Sequence, residues 1–169
     1  LDAQSADAIA LAEFLGRIAG GETVLLITTR RQVSDLTSRE LLLEGLDEDA
    51  GRELFWDFAS NKRRALDDAL VDQIVERVGG HPMALELLGK AYSKTEKSLP
   101  DFERGLDAQL AQARNRYKTA PRQQTLAGCF DYSFQFLPDD AKQLFPKLRL
   151  FAAPFLAETV KFIFDAPDA

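Results

Sequence analysis

A mainly helical fold with a small α/β remnant is predicted by three features of this sequence. From Asp47 onward, apolar residues recur at the three–four spacing of one helix face, with few interruptions. Before that point lies one short, β-branched apolar run, Thr23-Val24-Leu25-Leu26-Ile27-Thr28, directly after a helical pattern and Gly20-Gly21. A run apolar at every position suits a strand buried on both faces of a parallel sheet. Third, 46% hydrophobic and 28% charged residues are the proportions of a chain that buries a core.

The elements follow in order. Ser5 is positioned to cap a helix carrying Leu11, Phe14, Leu15 and Ile18. The buried strand 23–28 comes next, then a second short candidate at 40–44. Asp47 is an N-cap for a helix whose first turn holds Glu48 and Asp49, where carboxylates meet the positive end of the helix dipole. Ala50, Leu54, Phe55 and Phe58 form its buried stripe, and Lys62-Arg63-Arg64 reads as a turn. Leu70, Val71, Ile74, Val75 and Val78 mark the next helix, ending at Gly79-Gly80. Pro82 restarts the chain at a first-turn position, where a missing N–H costs nothing. Leu85, Leu88 and Tyr92 follow, and a further helix from about Pro100 buries Phe102, Leu106 and Leu110. The polar, basic stretch Arg114 to Gln124 reads as a linker. Eight of the 12 phenylalanines lie from Phe130 to Phe164, which predicts a distinct aromatic-rich core beyond it. There, Leu126, Phe130, Phe134 and Leu137 make one helix, and Ala141, Leu144, Phe145 and Leu148 another.

Charge and cysteine content narrow the function classes. The formal net charge of −6 works against a phosphate backbone as main partner, so nucleic acid is disfavoured. No apolar run reaches the roughly 20 residues that span a bilayer. The single cysteine, Cys129, has no internal partner, which points to a reducing, cytoplasmic setting. The chain starts without methionine and ends in an apolar stretch around Phe162 and Phe164, so it reads as an excised fragment whose tail frays or packs on another copy.

Two motifs carry chemical interest. Thr28, Thr29 and Arg30 end the apolar run, at the carboxyl edge where open α/β sheets collect ligands. An arginine there can meet a terminal phosphate through a forked, charge-assisted hydrogen bond. On spacing alone, the plainer account is a strand end with a solvated arginine. The second motif is Gly79-Gly80-His81-Pro82-Met83-Ala84-Leu85. Its glycines permit a tight helix-to-helix corner, which can press against a flat ring or serve only as a corner. His81 is the only histidine and no G-x-S-x-G accompanies it, which argues against a catalytic triad; one histidine and one cysteine argue against a zinc site. Arg114, Arg116, Lys118 and Arg122 lack aromatic neighbours for stacking and read as solvated. The phosphate-cradling pattern G-x-x-x-x-G-K-[ST] does not occur in these residues.

Taken in order, Leu25 to Arg30, Leu43 to Ala50 leading to Leu54-Phe55, and Gly79 to Leu85 resemble the NB-ARC family of signal-transduction ATPases. The segment from Leu126 to Ser133, with Leu137 and Lys142 to Phe151, looks like that family's opening of a winged helix. The resemblance implies the edge of a parallel nucleotide-binding sheet at 1–46, a helical domain at 47–113, and the truncated start of a winged helix at 125–169. It implies ADP or ATP with Mg in the complete protein, and no tightly bound nucleotide in the isolated chain. By position, Arg30 matches the sensor arginine that meets the terminal phosphate, Thr28 and Thr29 the hydroxyls before it, and Gly80 and Pro82 the corner packed on the base. The phosphate loop, the magnesium-holding acids and the winged-helix histidine of the family are not in this chain. The implied partners are the rest of its own protein, including phosphate-loop and sensor or repeat parts, together with further copies or an effector. The complete protein would be a slow ATPase switch and the isolated chain inactive. The alternatives are a helical protein-interaction module without nucleotide, and a winged-helix transcription regulator.

Overall fold

The computed structural model describes residues 6–18, 24, 26, 28, 41–152, 154 and 156–164. They fall into two compact units, Leu1–Leu43 and Glu44–Ala169.

In the first unit, α1 spans Ala6–Ile18. Its Ile9, Leu11, Phe14 and Ile18 are exposed, although their spacing is that of a core-facing stripe. The expected cap Ser5 lies outside the described residues, as does most of the expected strand 23–28. Val24 and Leu26 are described and are 93% and 87% exposed, in no strand. Leu41, Leu42 and Leu43, within the second expected strand, are also exposed and irregular. A strand buried on both faces needs neighbours on both sides, and no strand occurs among the described residues. The mainly helical expectation therefore holds, while the strand segments are not seen.

The second unit is built from α2 (Glu48–Phe58), α3 (Asp68–Arg77), α4 (Pro82–Lys94), α5 (Leu99–Arg116) and α6 (Pro121–Phe134), followed by α7 (Asp139–Leu144) and α8 (Ala157–Phe164). Short 3-10 turns occupy Ser60–Lys62, Ala65–Asp67 and Phe145–Leu150. Helix starts follow the side chains. Asp47 accepts a 2.8 Å bond from the Ala50 amide, capping α2 as its sequence predicts. Ser98 accepts from the Asp101 amide and caps α5. Prolines stand in the first turns of α4, α5 and α6.

One core joins α2 to α6. Phe55, Val71, Ile74, Leu85, Leu88, Phe102 and Leu106 are fully buried in it. Packed rings run through it from Phe55 and Trp56 to Tyr92, Phe102 and Tyr132, with centroids 5.0–6.4 Å apart. Such edge and offset contacts add to the area these rings remove from water. The polar edges are satisfied: Trp56 Nε1 donates to Asp68 at 2.8 Å, and Arg77 joins Glu103 and Asp107, tying α3 to α5.

The stretch 114–124 is not an open linker. Helix α5 continues to Arg116 and α6 begins at Pro121, which leaves four residues between them. Cys129 and Tyr132 of α6 belong to the core shared with α2–α5, so the aromatic segment does not begin a separate core at residue 125. The reason is visible in the inner face of α6. Gly128 faces Leu110 and Ala113, allowing close approach, and the Tyr132 hydroxyl donates to the Phe102 carbonyl at 2.7 Å. Phenylalanine count alone does not show which face of α6 carries those small and polar groups.

Candidate functional site

The corner between α3 and α4 is the best-defined feature of the sequence-predicted site. Gly79 and Gly80 both adopt left-handed backbone, with φ of 61° and 60°. The Gly80 amide donates to the Val75 carbonyl and the Gly79 amide to the Glu76 carbonyl, each at 2.9 Å, which closes the end of α3. This paired-bond helix stop requires a residue that tolerates positive φ. The Gly80 carbonyl then accepts from the Leu46 amide at 2.8 Å. A Cβ on Gly80 would collide with the Leu46 backbone, and one on Gly45 with the Gly79 carbonyl, so the chain ahead of α2 lies directly on the corner. Gly45 was not among the predicted site residues, and its signal was only a glycine before a helix cap. Its role depends on a partner 34 residues away.

His81 follows in extended conformation and precedes Pro82, the first residue of α4. Its Nδ1 is buried without a hydrogen-bond partner. Burial, and then the positive charge of Arg122, hold its pKa below the usual histidine value. Arg122 sits in the first turn of α6, so α4 and α6 begin within electrostatic reach of each other. Pro82 is exposed and Met83 is 56% exposed, giving a rigid apolar edge beside the imidazole.

Behind the corner lies an open cleft of about 600 Å³, lined by Leu46, Glu48, Asp72, Val75, Glu76 and the two glycines, among others. Its character is acidic. Asp72 is engaged by Arg52 at 2.6 Å, and Arg52 also reaches Asp49. The Glu48 carboxyl is raised above its ordinary pKa, first by the charge of Asp72 and then by a hydrogen bond shared with it. Phosphate oxygens would meet three carboxylates here, so this cleft does not fit a nucleotide's phosphates. Among the described residues no group of three or more His, Cys, Asp or Glu side chains could hold a metal ion. No described helix is long and apolar enough to cross a membrane.

Of the predicted site residues, Gly80 and Pro82 share the corner, with Gly80 facing the cleft and Pro82 outside its lining. Thr28 is exposed in the first unit. Thr29 and Arg30 lie outside the described residues. Pro82 and Met83 are exposed together at the corner, and no cation is among the residues lining the cleft behind it. Cys129 is buried in the core and its thiol is pushed up to about 12, so it has no thiolate character. No family model, curated protein or solved structure matches the chain.

Proposed function

We propose that this chain is the sensor and helical part of an ADP/ATP-dependent signalling switch of the NB-ARC type, working in the cytoplasm. The observation that carries the reading is the corner itself. Two left-handed glycines, the second pressed onto Leu46, lead into an exposed proline at the start of α4. A ring held against Pro82 would meet a surface with little freedom to move, which lowers the entropy lost on binding. Arg30, with Thr28 and Thr29, would meet the terminal phosphate, and Mg²⁺ would accompany the nucleotide. A phosphate loop would come from outside these 169 residues. The opening of a winged helix over 125–169 belongs to the same reading, with its first helix docked on the helical domain. The output would be assembly with further copies or with an effector.

The test uses the protein together with a phosphate-loop segment and titrates ADP and ATP. Pro82→Ala is expected to weaken both nucleotides alike, since both share the base. Unchanged binding of both in that variant would remove the corner from the site and sink the reading.

The acidic cleft favours a second reading, a helical module that takes a cationic protein segment and no nucleotide. Glu48, Asp72 and Glu76 line that cleft and no cation does. Binding of a lysine- and arginine-rich peptide that is lost in Glu76→Gln, with no nucleotide binding in any form, would favour it.

A further inference from the structure

We infer that the movable joint of this chain lies at Leu137–Pro138, directly after the clamped Phe136, and that Phe145 is the contact that straps the following arm onto α6. The inference rests on packing alone and stands or falls apart from any nucleotide.

Helix α6 is clamped to the helical body at both ends and along its inner face. At its start, Gln124 Nε2 donates to the carbonyls of Tyr117 and Thr119, both at 2.8 Å. The Tyr117 hydroxyl donates to Asp131 at 2.9 Å, and Arg116 lies 3.6 Å from the same carboxylate. In the middle, Gly128 and Cys129 are buried, with Gly128 against Leu110 and Ala113. Toward its end, Tyr132 fills the space that a side chain on Gly105 would take, and Gln135 donates to Gln109 at 3.1 Å. Phe136 closes the row, with its ring 5.7 Å from Phe102 and 5.1 Å from Tyr132 and the Lys97 ammonium over its face. Hydrogen bonds, an ion pair, apolar packing and ring contacts would all have to break for α6 to leave.

The arm beyond Pro138 is held differently. Neither α7 nor the turn Phe145–Leu150 contains a buried residue, and after Tyr132 Val160 is the one buried residue among those whose side chains are described. Phe145 of the arm lies on α6, with its ring 5.4 Å from Phe130 and 5.5 Å from Phe134. Phe145 is itself 39% exposed. Much of its remaining order is internal: Phe151 packs on Phe164, and Lys147 lies over the same ring. An element with few buried apolar contacts opens at lower cost than the core it rests on. Release of Phe145 would expose Phe134, and Phe130 beyond its present 39%, while Cys129 and Tyr132 stay in place.

Hydrogen exchange followed by mass spectrometry on the full chain tests this. In wild type, amides of 139–150 are expected to exchange at least tenfold faster than those of 124–134. Phe145→Ala is expected to raise exchange over 139–150 a further severalfold and leave 99–134 unchanged. A common opening for 124–134 and 139–150 in wild type overturns the inference. So does a Phe145→Ala variant in which α6 loosens as much as the arm, or one in which the arm does not respond. The wild-type comparison decides the matter even if the variant fails to fold.

Discussion

The arm α7–α8 has the more apolar sequence, and the helical body α2–α6 has the denser packing. In the body, Phe55, Trp56, Phe102 and Tyr132 are removed from water and touch one another in series. In the arm, Phe145 is partly exposed, while Leu150, Leu156 and Ile163 face solvent. Aromatic content therefore does not measure order in this chain. What separates the regions is whether small residues let the helices approach. Gly51 lies against Val75, Gly89 against the Phe55 backbone and Gly128 against Leu110, and no described glycine does the same for α7 or α8. Close approach buries whole rings, and buried area is what stabilises.

The largest expected effect tests that contrast directly. Phe102→Ala removes a fully buried ring that touches Tyr92, Tyr132 and Phe136, and should cost about 3–5 kcal/mol. Phe145→Ala removes a ring already partly in water and should cost about 1 kcal/mol of global stability. Urea unfolding of both variants supplies the comparison. Equal losses would mean that the arm is part of the core.

The corner offers a second comparison, between neighbours with the same backbone angle. Gly79 and Gly80 are both left-handed, so alanine at either carries roughly 1–2 kcal/mol of backbone strain. A Cβ on Gly79 meets open space, whereas one on Gly80 meets the Leu46 backbone. Gly80→Ala should therefore cost about 2–3 kcal/mol more than the strain alone, as overpacking against rigid backbone does. If the two alanine variants unfold at the same urea concentration, Leu46 does not rest on the corner.

Much of the body was legible from sequence because its signals are local. The cap at Asp47, the stop at Gly79-Gly80 and the restart at Pro82 each need only a few adjacent residues. The docking of α6 was not legible. It depends on Gly128 meeting Leu110 and on Tyr132 reaching the Phe102 carbonyl, which are pairings across helices that no helical period encodes. For the site, the corner was legible as glycines and a proline. The dependence on Gly45 and the acidic lining behind it came from residues brought together by the fold.

A smaller effect separates the corner from the sensor residues. Arg30→Ala, in the protein supplied with its phosphate loop, should weaken ATP more than ADP, because only ATP offers the terminal phosphate. A charge-assisted hydrogen bond is worth about 1.5–3 kcal/mol, so the ratio of the two affinities should change at least about tenfold. Pro82→Ala should leave that ratio unchanged. Equal losses of ADP and ATP in Arg30→Ala would reduce Arg30 to a solvated strand-end arginine.

The smallest effect reports whether α6 belongs with the body at all. His81 is the single histidine, so its titration by NMR is one unambiguous curve. Burial first, and Arg122 second, should place its midpoint below the ordinary histidine value. Arg122→Gln removes the second cause and should move the midpoint upward, because the charge acts only while the start of α6 stays near the corner. Phe145→Ala should leave the midpoint where it is, since the arm can open while α6 remains clamped. The consequence for stability has a definite sign. With the folded pKa depressed, the unfolded chain binds the proton more readily, so the His81 contribution is present above the ordinary histidine pKa. It is lost as pH falls from there through the folded midpoint. His81→Asn should flatten that part of the stability profile, and the difference will be small because the ring is only partly shielded from solvent. A midpoint that moves equally in Phe145→Ala and Arg122→Gln would show α6 leaving with the arm, and the joint would then lie before Pro121.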